Sequence, residues 1–572
     1  MSYDLLIKNG TVLDGTGAPR RQADVAVRDG KIVEVGRARD TAKQVIDAHG
    51  LFVTPGFIDI HTHYDCQLFW DPLATSSCWH GVTTVMTGNC GLTLAPCKPG
   101  DRDAVMGMFA KVEEITSSVL KLGLPWDWET FPQWMDCLDR RLGLNVAPLV
   151  GHAAIRLYAM GDASIERRAT AEEVQRMQAI LDDSLDAGAF GWSTSLSPTH
   201  VLANGGPVPS RLADDDELLA LAQTLAKRKT GSIGIIPRTV IAELSDGDLD
   251  LLYRLSMTSG RAVHWNGHRY KWDYPNGWKR EQDYMAQAAK RGAHVYGLSR
   301  ATPFNRVFTL KRTGFFAGIT TWRETMELPI DQRKARFADA SLRQAYRDSI
   351  DFQNAEPAGK GMQRPRIRWA AFLVDKATLP KNQWMNGQSV VDVAKQTGKH
   401  IADVMIELIL EENFETQFRS KPSLPEDEPA TIAMLSSPYT LPYQSDAGAH
   451  ISGDCIAGDH TYFLSNWVRE RNLTTWEEGV RKFTSLPASI IGLADRGVIK
   501  EGMAADIAVF DPERLKTTPA KSVNDLPGGE YRFIQGAEGV HCTIVNGQVF
   551  VKDGRHTGIE PGRVLRSSAR KG

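Results

Sequence analysis

The sequence predicts an α/β fold in which a (β/α)8 TIM-like barrel carries a small β-sandwich formed by both ends of the chain. The chain has 572 residues, enough for one large domain and a smaller one. Through its middle, apolar β-branched runs alternate with amphipathic stretches, which is typical of parallel strands joined by helices. The two ends instead show short strands with tight turns.

Eight apolar runs are the predicted strands of the barrel, and their number favours a closed barrel over an open sheet. Helix-like segments such as TAEEVQRMQAILDDSLDAG separate them. In chain order the runs are FIDIHTH (57–63), VTTVMTGN (82–89), NVAPLVGH (145–152), AFGWSTS (189–195), SIGIIPR (232–238), AVHWNG (262–267), HVYGLSR (294–300) and YTLPYQSD (439–446).

The ends of the chain read as strands joined by hairpins, signalled by Asn9-Gly10 and Asp29-Gly30. The same pattern of short strands and tight turns recurs in ADIAVFDPERL and VHCTIVNGQVFVKDGR near the C-terminus. We therefore expect residues 1–54 and 498–572 to form one β-sandwich, and residues 55–497 to form the barrel.

A gap of about 302–437 separates the seventh and eighth predicted strands. A bare loop of that length is unexpected in a compact domain. The gap contains helical stretches such as SVVDVAKQTG and IADVMIELILEENFE. These predict a helical insertion near the mouth of the barrel, and the alternative is an independent domain.

Composition limits the classes of partner. The net charge is −2, with 42% apolar and 24% charged residues, so neither a nucleic-acid nor a membrane partner is expected. The start MSYDLLIKNG lacks the pattern of a secretory leader. Seven scattered cysteines fit a reducing compartment, so the predicted location is the cytoplasm. The predicted partner is a small-molecule substrate.

Candidate site residues end the predicted strands, because catalytic groups of such barrels lie at the C-terminal ends of the strands. His61 and His63 end the first strand, and alternate residues of a strand face the same way. Two neutral imidazoles that converge suit a divalent metal. The alternative is a pair of surface histidines, which the preceding apolar run PGFIDI disfavours.

Three further strand ends carry candidates. Asp446, in SDAG, is a predicted metal ligand and proton acceptor, although a lone Asp is more commonly a turn former or helix cap. His264 ends the sixth strand and is a candidate ligand. His152, in GHAAIR, is a candidate substrate or ligand-supporting contact, although each histidine alone more commonly has a structural role.

Cys90 follows the second strand in a bend between Gly88 and Gly91. A thiolate is a strong ligand for zinc. Two other interpretations stay open on the residues alone, a nucleophile with His152 or His264 as its base and an inert buried cysteine.

These residues resemble the amidohydrolase superfamily, and within it the D-aminoacylase (N-acyl-D-amino-acid deacylase) family. The resemblance covers nearly the whole chain. Its residues are IKNGTVLDGTG, PGFIDIHTHYD, GVTTVMTGNCG, GHAAIR, SDAG and the tail from TSLPASIIGLADRGVIKEGMAADIAVFDP to TGIEPGRVLR. GNCG is the specific part, whereas the His-x-His pair and the tail are common to the superfamily.

The resemblance implies a metal-bearing barrel with a terminal β-sandwich, and hydrolysis by water activated on zinc. His61, His63 and Asp446 match the tighter metal site of the family. Cys90 matches the bridging ligand, because the fourth strand AFGWSTS offers no lysine for that role. Homo-oligomers are common in the superfamily, so a homo-oligomer is an expected state.

Two departures from the family pattern matter. The fifth strand ends Ile236-Pro237-Arg238 without the usual histidine, and Asn266 replaces a lysine two positions after His264. The second metal site thus lacks a ligand, and we expect one firmly bound zinc, with the second site weak or empty.

The residues that hold a substrate carboxylate in the family are also missing. Leu298-Ser299-Arg300 stands where the family has Tyr-Pro-Tyr, and His460-Thr461-Tyr462 where it has His-Pro-Arg. Arg238 or Arg300 is a candidate replacement.

The expected substrate is accordingly an N-acyl compound larger or more apolar than a simple N-acyl-D-amino acid, with Trp265 as a candidate wall of its pocket. The alternatives are an N-acyl-D-amino-acid deacylase proper, a hydrolase of another acyl bond (a urea, carbamate, cyclic amide or C–C bond), and a non-catalytic scaffold.

Overall fold

The computed structural model describes residues 2–303, 306–311, 315–355, 367–421, 427–443, 445–453 and 455–567. Strands and helices alternate through residues 57–298, whereas both ends of the described chain consist of strands.

The strands, in chain order, are β1 (Tyr3–Val12), β2 (Arg21–Arg28), β3 (Lys31–Gly36), β4 (Ala42–Asp47), β5 (Phe52–Pro55), β6 (Phe57–Asp59), β7 (Val82–Thr87), β8 (Asn145–Pro148), β9 (Val150–Gly151), β10 (Gly191–Ser195), β11 (Ser232–Ile236), β12 (Ala262–Asn266), β13 (Val295–Leu298), β14 (Val307–Phe308), β15 (Phe372–Lys376), β16 (Gln417–Ser420), β17 (Thr440–Leu441), β18 (Ile507–Phe510), β19 (Lys516–Thr517), β20 (Lys521–Val523), β21 (Arg532–Ile534), β22 (Ala537–Glu538), β23 (Val540–Val545), β24 (Gln548–Lys552) and β25 (Arg555–His556).

The α-helices are α1 (Arg102–Val112), α2 (Ser117–Gly123), α3 (Phe131–Leu138), α4 (His152–Met160), α5 (Ala171–Asp186), α6 (Asp215–Ala226), α7 (Asp246–Ser259), α8 (Gly277–Lys290), α9 (Thr320–Met326), α10 (Ile330–Ala338), α11 (Arg343–Ala355), α12 (Val390–Thr397), α13 (Ile401–Glu411), α14 (Asp427–Ser436), α15 (Asp459–Tyr462), α16 (Trp476–Phe483) and α17 (Ser485–Ile491).

A strand forms within each of the eight predicted runs, and the α/β class is confirmed. β6, β7 and β8 pair in parallel, and so do β9, β10, β11, β12, β13 and β17 in that order. β8 and β9 belong to the same predicted run, interrupted at Leu149. A parallel bridge between Thr62 and Ala447 links the chain just after β6 to the chain just after β17.

Both ends of the chain share one nine-stranded sheet, in which β5 pairs antiparallel with β18. Asp29-Gly30 forms the expected hairpin turn between β2 and β3, with positive φ at both residues. The expected turn at Asn9-Gly10 is wrong. These residues lie inside β1 at a β-bulge, where Asn9 takes the left-handed conformation and pairing with β2 continues beyond it.

The segment between β13 and β17 contains helices α9–α14, as expected, and also an antiparallel sheet in the order β14-β16-β15 that the sequence analysis did not predict. Phe308, Phe372 and Phe418, one from each strand, pack with ring centroids 5.0–6.0 Å apart. They belong to a hydrophobic core of this segment's own residues. Contacts among aromatic side chains far apart in sequence thus stabilise three very short strands.

Among the residues described, no helix is long and apolar enough to cross a membrane.

Candidate metal centre

The bend after β7 places Cys90 by an unusual backbone path. Gly88, Cys90 and Gly91 all have positive φ (77°, 57° and 77°). A Cβ at Gly88 would lie 2.2 Å from the Leu149 carbonyl oxygen, so glycine is required there. Ser193 of β10 braces the bend, because its Oγ donates to the Gly88 carbonyl and accepts from the Gly91 N–H at 2.8 Å.

Four side chains from three strand ends converge beside this bend, and we call them the metal cluster: His61, His63, Cys90 and Asp446. Cys90 Sγ lies 3.7 Å from His61 Nε2 and 3.6 Å from His63 Nε2. Asp446 Oδ1 lies 3.1 Å and 3.9 Å from the same two nitrogens. The structure therefore brings together four of the five predicted ligands.

The metal cluster fits a zinc ion by donor type and by spacing. At zinc bond lengths and tetrahedral angles, nitrogen and sulfur donors are about 3.5 Å apart, and nitrogen and oxygen donors about 3.4 Å apart. One ligand atom each from His61, His63 and Cys90 lies within 4.8 Å of the others. The observed separations are those of donors that share one ion.

Burial adjusts the protonation of the donors. It lowers the pKa of His63 to about 3, helped by the neighbouring His61, so His63 is neutral at pH 7 and able to ligate. Burial also raises the pKa of the Cys90 thiol well above its usual range, so a cation is needed to hold the thiolate.

Asp446 is the cluster member most open to the cavity, with its side chain 16% exposed against 3% for His61. Burial alone would raise the pKa of Asp446, but the hydrogen bond and charge of His61, together with Arg300, hold it below the ordinary range. Asp446 is therefore a carboxylate at neutral pH.

Glu113 is a site residue that the sequence analysis missed. It follows α1, is 2% exposed, and its Oε1 lies 3.4 Å from His63 Nδ1. Burial and the neighbouring carboxylates raise the pKa of Glu113 well above its usual range. A carboxyl group beside the second ring nitrogen of a metal-binding histidine can orient the ring. No motif marks Glu113, because it is close to His63 only through the path of α1.

His264, the fifth predicted ligand, is buried with its Nε2 3.2 Å from Ser232 Oγ. Its Nδ1 is buried and has no hydrogen-bond partner among the residues that the structure describes. Beside the end of β11, the fifth predicted strand, Cys90 lies in one hydrophobic cluster with Ile236, Val240 and Ile241. The surroundings of Cys90 there are apolar.

The predicted substrate contacts divide into two groups. Arg300 lines the cavity above the metal cluster, with Nη2 3.7 Å from Asp446 Oδ2. His152 is fully buried between Thr194 (2.9 Å) and Glu217 (2.7 Å). The geometry gives its predicted contact with substrate no support.

Arg238 and Trp265 also lie off the cavity wall formed by the described residues. Arg238 pairs with Asp215 at 2.7 Å. Trp265 is buried and packs edge-on against His268 at 5.3 Å. Both side chains are engaged with other protein groups, so the geometry does not support their predicted contact with substrate either.

Above the metal cluster lies a cavity of about 710 Å³. Its walls come from the ends of the parallel strands and from the segment between β13 and β17, which contributes Phe372 and Met434. A cavity of this size that ends at a metal cluster is typical of an enzyme site for a small molecule.

Comparison with known proteins decides the family. A model of the amidohydrolase family matches residues 44–338 and 429–551, more than half of the chain. The chain belongs to the amidohydrolase family. It is therefore a hydrolase that acts on carbon–nitrogen bonds other than peptide bonds.

The relatives of this amidohydrolase include D-aminoacylases and related deacylases. It is 29% identical to an N-acyl-D-aspartate deacylase of Alcaligenes xylosoxydans xylosoxydans, over 98% of this chain and 95% of that one. It is 27% identical to a D-aminoacylase of the same organism, over 99% and 98% of the two chains. These relatives confirm the resemblance to the D-aminoacylase family.

Solved structures also resemble this chain. The N-acyl-D-glutamate deacylase of Bordetella bronchiseptica, complexed with zinc and a phosphonate mimic of the tetrahedral intermediate, superposes with a TM-score of 0.65. It shares 26% identity over 99% of this chain and all of that chain. A D-aminoacylase said to define a novel subset of amidohydrolases gives the same TM-score, identity and coverage.

We predict that Glu113→Gln weakens zinc binding by about tenfold to a hundredfold, because an amide beside His63 Nδ1 cannot replace the carboxyl group that orients the ring. The measurement is competition for zinc with a chromophoric chelator. Glu114→Gln is the matched control, since the neighbouring Glu114 contacts Arg306 and His450 instead. Equal zinc affinity of the two variants would refute the role of Glu113.

Proposed function

We propose that this amidohydrolase cleaves the amide bond of an N-acyl compound at the metal cluster, as a metal-dependent enzyme whose substrate is larger or more apolar than a simple N-acyl-D-amino acid. The observation that carries the proposal is the convergence of two histidines, a cysteine and an aspartate at the base of a cavity of about 710 Å³.

The scaffold of the proposal is a closed (β/α)8 barrel of residues 55–497. The Thr62–Ala447 bridge and the hydrogen bond from His63 N to Ala447 O, at 2.7 Å, support closure between the eighth and first strands. The shared sheet supports a terminal β unit of residues 1–54 and 498–572. A separate hydrophobic core supports an insertion at about 302–437.

In this mechanism His61, His63, Cys90 and Asp446 hold one zinc ion. When bound, zinc lowers the pKa of a water molecule to about 7 and polarises the carbonyl group. Asp446 accepts the proton of the attacking water and returns it to the leaving nitrogen. Its Oδ1 faces the two histidines while Oδ2 faces Arg300 and the cavity. One carboxylate can thus serve both the metal and the substrate.

We predict that Asp446→Asn lowers turnover of a hydrolysed N-acyl substrate by about 10²- to 10⁴-fold, because the amide cannot accept the proton. Steady-state kinetics measure the effect, with zinc content determined in parallel so that loss of metal is recognised. Asp250→Asn, at an exposed ion pair with Arg254, is the control. Turnover at the wild-type rate in Asp446→Asn protein would exclude Asp446 as the base.

The side chains around Cys90 bear on the number of metal ions that the site holds. The contact of Cys90 with Ile236, Val240 and Ile241 supports one firm zinc site, with the second site weak or empty. A D-aminoacylase of 25% identity is described as having a binuclear metal centre with one-metal activation and second-metal attenuation. That behaviour of a relative is compatible with a single working ion here.

We predict one equivalent of zinc per chain after purification without chelator, since apolar side chains supply no second set of donors. Elemental analysis by mass spectrometry, after dialysis against metal-free buffer, measures the ratio. Two equivalents that survive dialysis would contradict a single firm site.

The apolar part of the cavity supports the size of the substrate. Ile236, Val240 and Ile241 line it beside Cys90, and Met434 and Trp467 line it elsewhere. Apolar surface buried by a substrate there contributes roughly 25 cal/mol per Å². A short acetyl group would leave most of this surface in contact with water.

We predict that kcat/KM rises at least about tenfold from N-acetyl-D-methionine to N-octanoyl-D-methionine, because each added methylene buried in the cavity contributes up to about 0.8 kcal/mol. A coupled assay for released D-methionine compares the two compounds. Efficient turnover of N-acetyl-D-methionine or N-acetyl-D-glutamate, equal to that of the octanoyl compound, would contradict the proposed substrate class.

A further inference from the structure

The turn that carries Asp446 has a strained backbone. Asp446 has a positive φ of 46°, and Gly448 follows with a φ of 93°. A Cβ at Gly448 would lie 2.7 Å from the carbonyl carbon of His63, and the His63 N–H donates to the Ala447 carbonyl at 2.7 Å. The turn therefore lies directly against the chain that carries the two histidines. A left-handed residue other than glycine persists only where its surroundings hold it there.

Ser445 closes this turn around Asp446. Its Oγ accepts a hydrogen bond from the Ala447 backbone N–H at 3.2 Å, and this bond spans Asp446. The same hydroxyl donates to Asp59 Oδ2 at 2.6 Å, while the His61 carbonyl oxygen lies 3.1 Å from it. A serine hydroxyl has one proton and two lone pairs, so donation to Asp59 leaves a lone pair for Ala447. The hydroxyl thus joins the turn to a second part of the chain.

Asp59 connects this turn to His61. It is the last residue of β6 and is fully buried. Its Oδ1 accepts from the His61 backbone N–H at 3.1 Å, and its Oδ2 accepts from Ser445. Burial raises the pKa of Asp59 to about 7, and the hydrogen bonds from Ser445 and His61 oppose this rise. One carboxyl group therefore contacts both a histidine of the metal cluster and the residue that precedes Asp446.

The two segments joined in this way carry a close pair of metal-cluster atoms, since His61 Nε2 and Asp446 Oδ1 lie 3.1 Å apart. Neither Asp59 nor Ser445 lines the cavity formed by the described residues. Both side chains are fully buried. Any effect that they have on the metal cluster is therefore exerted through His61 and Asp446.

We propose that Asp59 and Ser445 are a pair of positioning residues that holds Asp446 in its turn against His61, and so sets the geometry of the metal cluster. The inference rests on the metal site of the proposed function. Functional groups keep a productive geometry only when hydrogen bonds and packing fix their own conformations. Here the carboxyl group orients the hydroxyl, and the hydroxyl holds the turn.

The first test is Ser445→Ala, which removes the donor to Asp59 and the acceptor for the Ala447 N–H. We expect the full-length variant to bind zinc about ten- to a hundredfold more weakly than wild-type protein, measured by competition with a chromophoric chelator. Cobalt(II) is the second probe, because its visible absorption depends on coordination geometry. The cobalt spectrum of Ser445→Ala protein should differ from that of wild-type protein.

Ser256→Ala is the matched control. Ser256 is 2% exposed, and its Oγ donates to the Arg261 carbonyl at 2.9 Å and accepts from the His294 N–H at 2.8 Å. Arg261 and His294 precede β12 and β13, at the opposite end of the strands from the metal cluster. The control thus loses a similar pair of buried hydrogen bonds, and its stability to urea should fall as in Ser445→Ala, with wild-type zinc affinity and cobalt spectrum.

Two outcomes would overturn the proposal. The first is wild-type zinc affinity together with a wild-type cobalt spectrum in Ser445→Ala protein. The second is an equal loss of zinc affinity in Ser445→Ala and Ser256→Ala, since both variants would then act only through the stability of the fold.

A double-mutant cycle tests whether the two residues act as a pair. Asp59→Asn keeps the shape of the side chain but replaces one acceptor oxygen by an amino group. We expect the double variant to bind zinc no more weakly than the weaker single variant, because either change breaks the same contact. Additive losses would contradict a pair. If Ser445→Ala does not fold, Asp59→Asn carries the test, and wild-type zinc affinity and cobalt spectrum in that variant would overturn the proposal.

Turnover distinguishes this proposal from the proposed function. In zinc-saturated Ser445→Ala protein we expect kcat for N-octanoyl-D-methionine to fall at least about tenfold with KM nearly unchanged, because a displaced Asp446 impairs the reaction more than substrate binding. No hydrolysis of N-acyl compounds by wild-type protein, with the expected metal affinities and cobalt spectra, would contradict the proposed function and support the pair. Hydrolysis by wild-type protein, with unchanged metal binding in both single variants, would overturn the pair and leave the proposed function intact.

Discussion

The bend that carries Cys90 is the constraint on which the rest of the site depends. Three left-handed residues within four positions, Gly88, Cys90 and Gly91, bring a thiol to within 3.7 Å of two histidines that follow the neighbouring strand β6. A left-handed non-glycine residue costs about 1–2 kcal/mol. Ser193 offsets part of that cost by bonding both sides of the bend. The strand β10 thus supports the bend that carries the thiol.

Burial of the donors explains why a cation belongs there. Low dielectric favours the neutral imidazole of His63 and the protonated thiol of Cys90, whereas the hydrogen bond with His61 and the charge of Arg300 keep Asp446 ionised. A divalent ion stabilises both the thiolate and the carboxylate. Asp446 is also the cluster member most open to the cavity, so the group that accepts the proton in the proposed mechanism is one that a substrate can reach.

Two sides of the cavity, one apolar and one charged, meet at the metal cluster. The end of the fifth strand presents Ile236 and nearby aliphatic side chains, while the loop after β12 presents Arg269. In the proposed function, Ile236 at the end of the fifth predicted strand therefore bears on two properties together. It supplies no donor for a second metal, and it gives Cys90 an apolar neighbour that suits an acyl chain.

The sequence by itself determined the eight strand positions and four of the converging side chains, because residues that follow a strand lie near those that follow its neighbours whatever surrounds them. His61 and His63 follow β6, and Cys90 and Asp446 follow β7 and β17, so strand periodicity and the family resemblance sufficed. The sequence also suggested roles for His152 and Trp265 that the geometry does not support.

The surroundings of His152 and Trp265 could be decided only from the tertiary structure. The partner of His152 is Glu217, 65 residues away, and Trp265 packs on His268, which Glu281 holds. Glu113 reaches His63 from another part of the chain altogether. Whether a polar side chain faces a cavity or a buried partner depends on which distant element packs against it, and local periodicity carries no information about that contact.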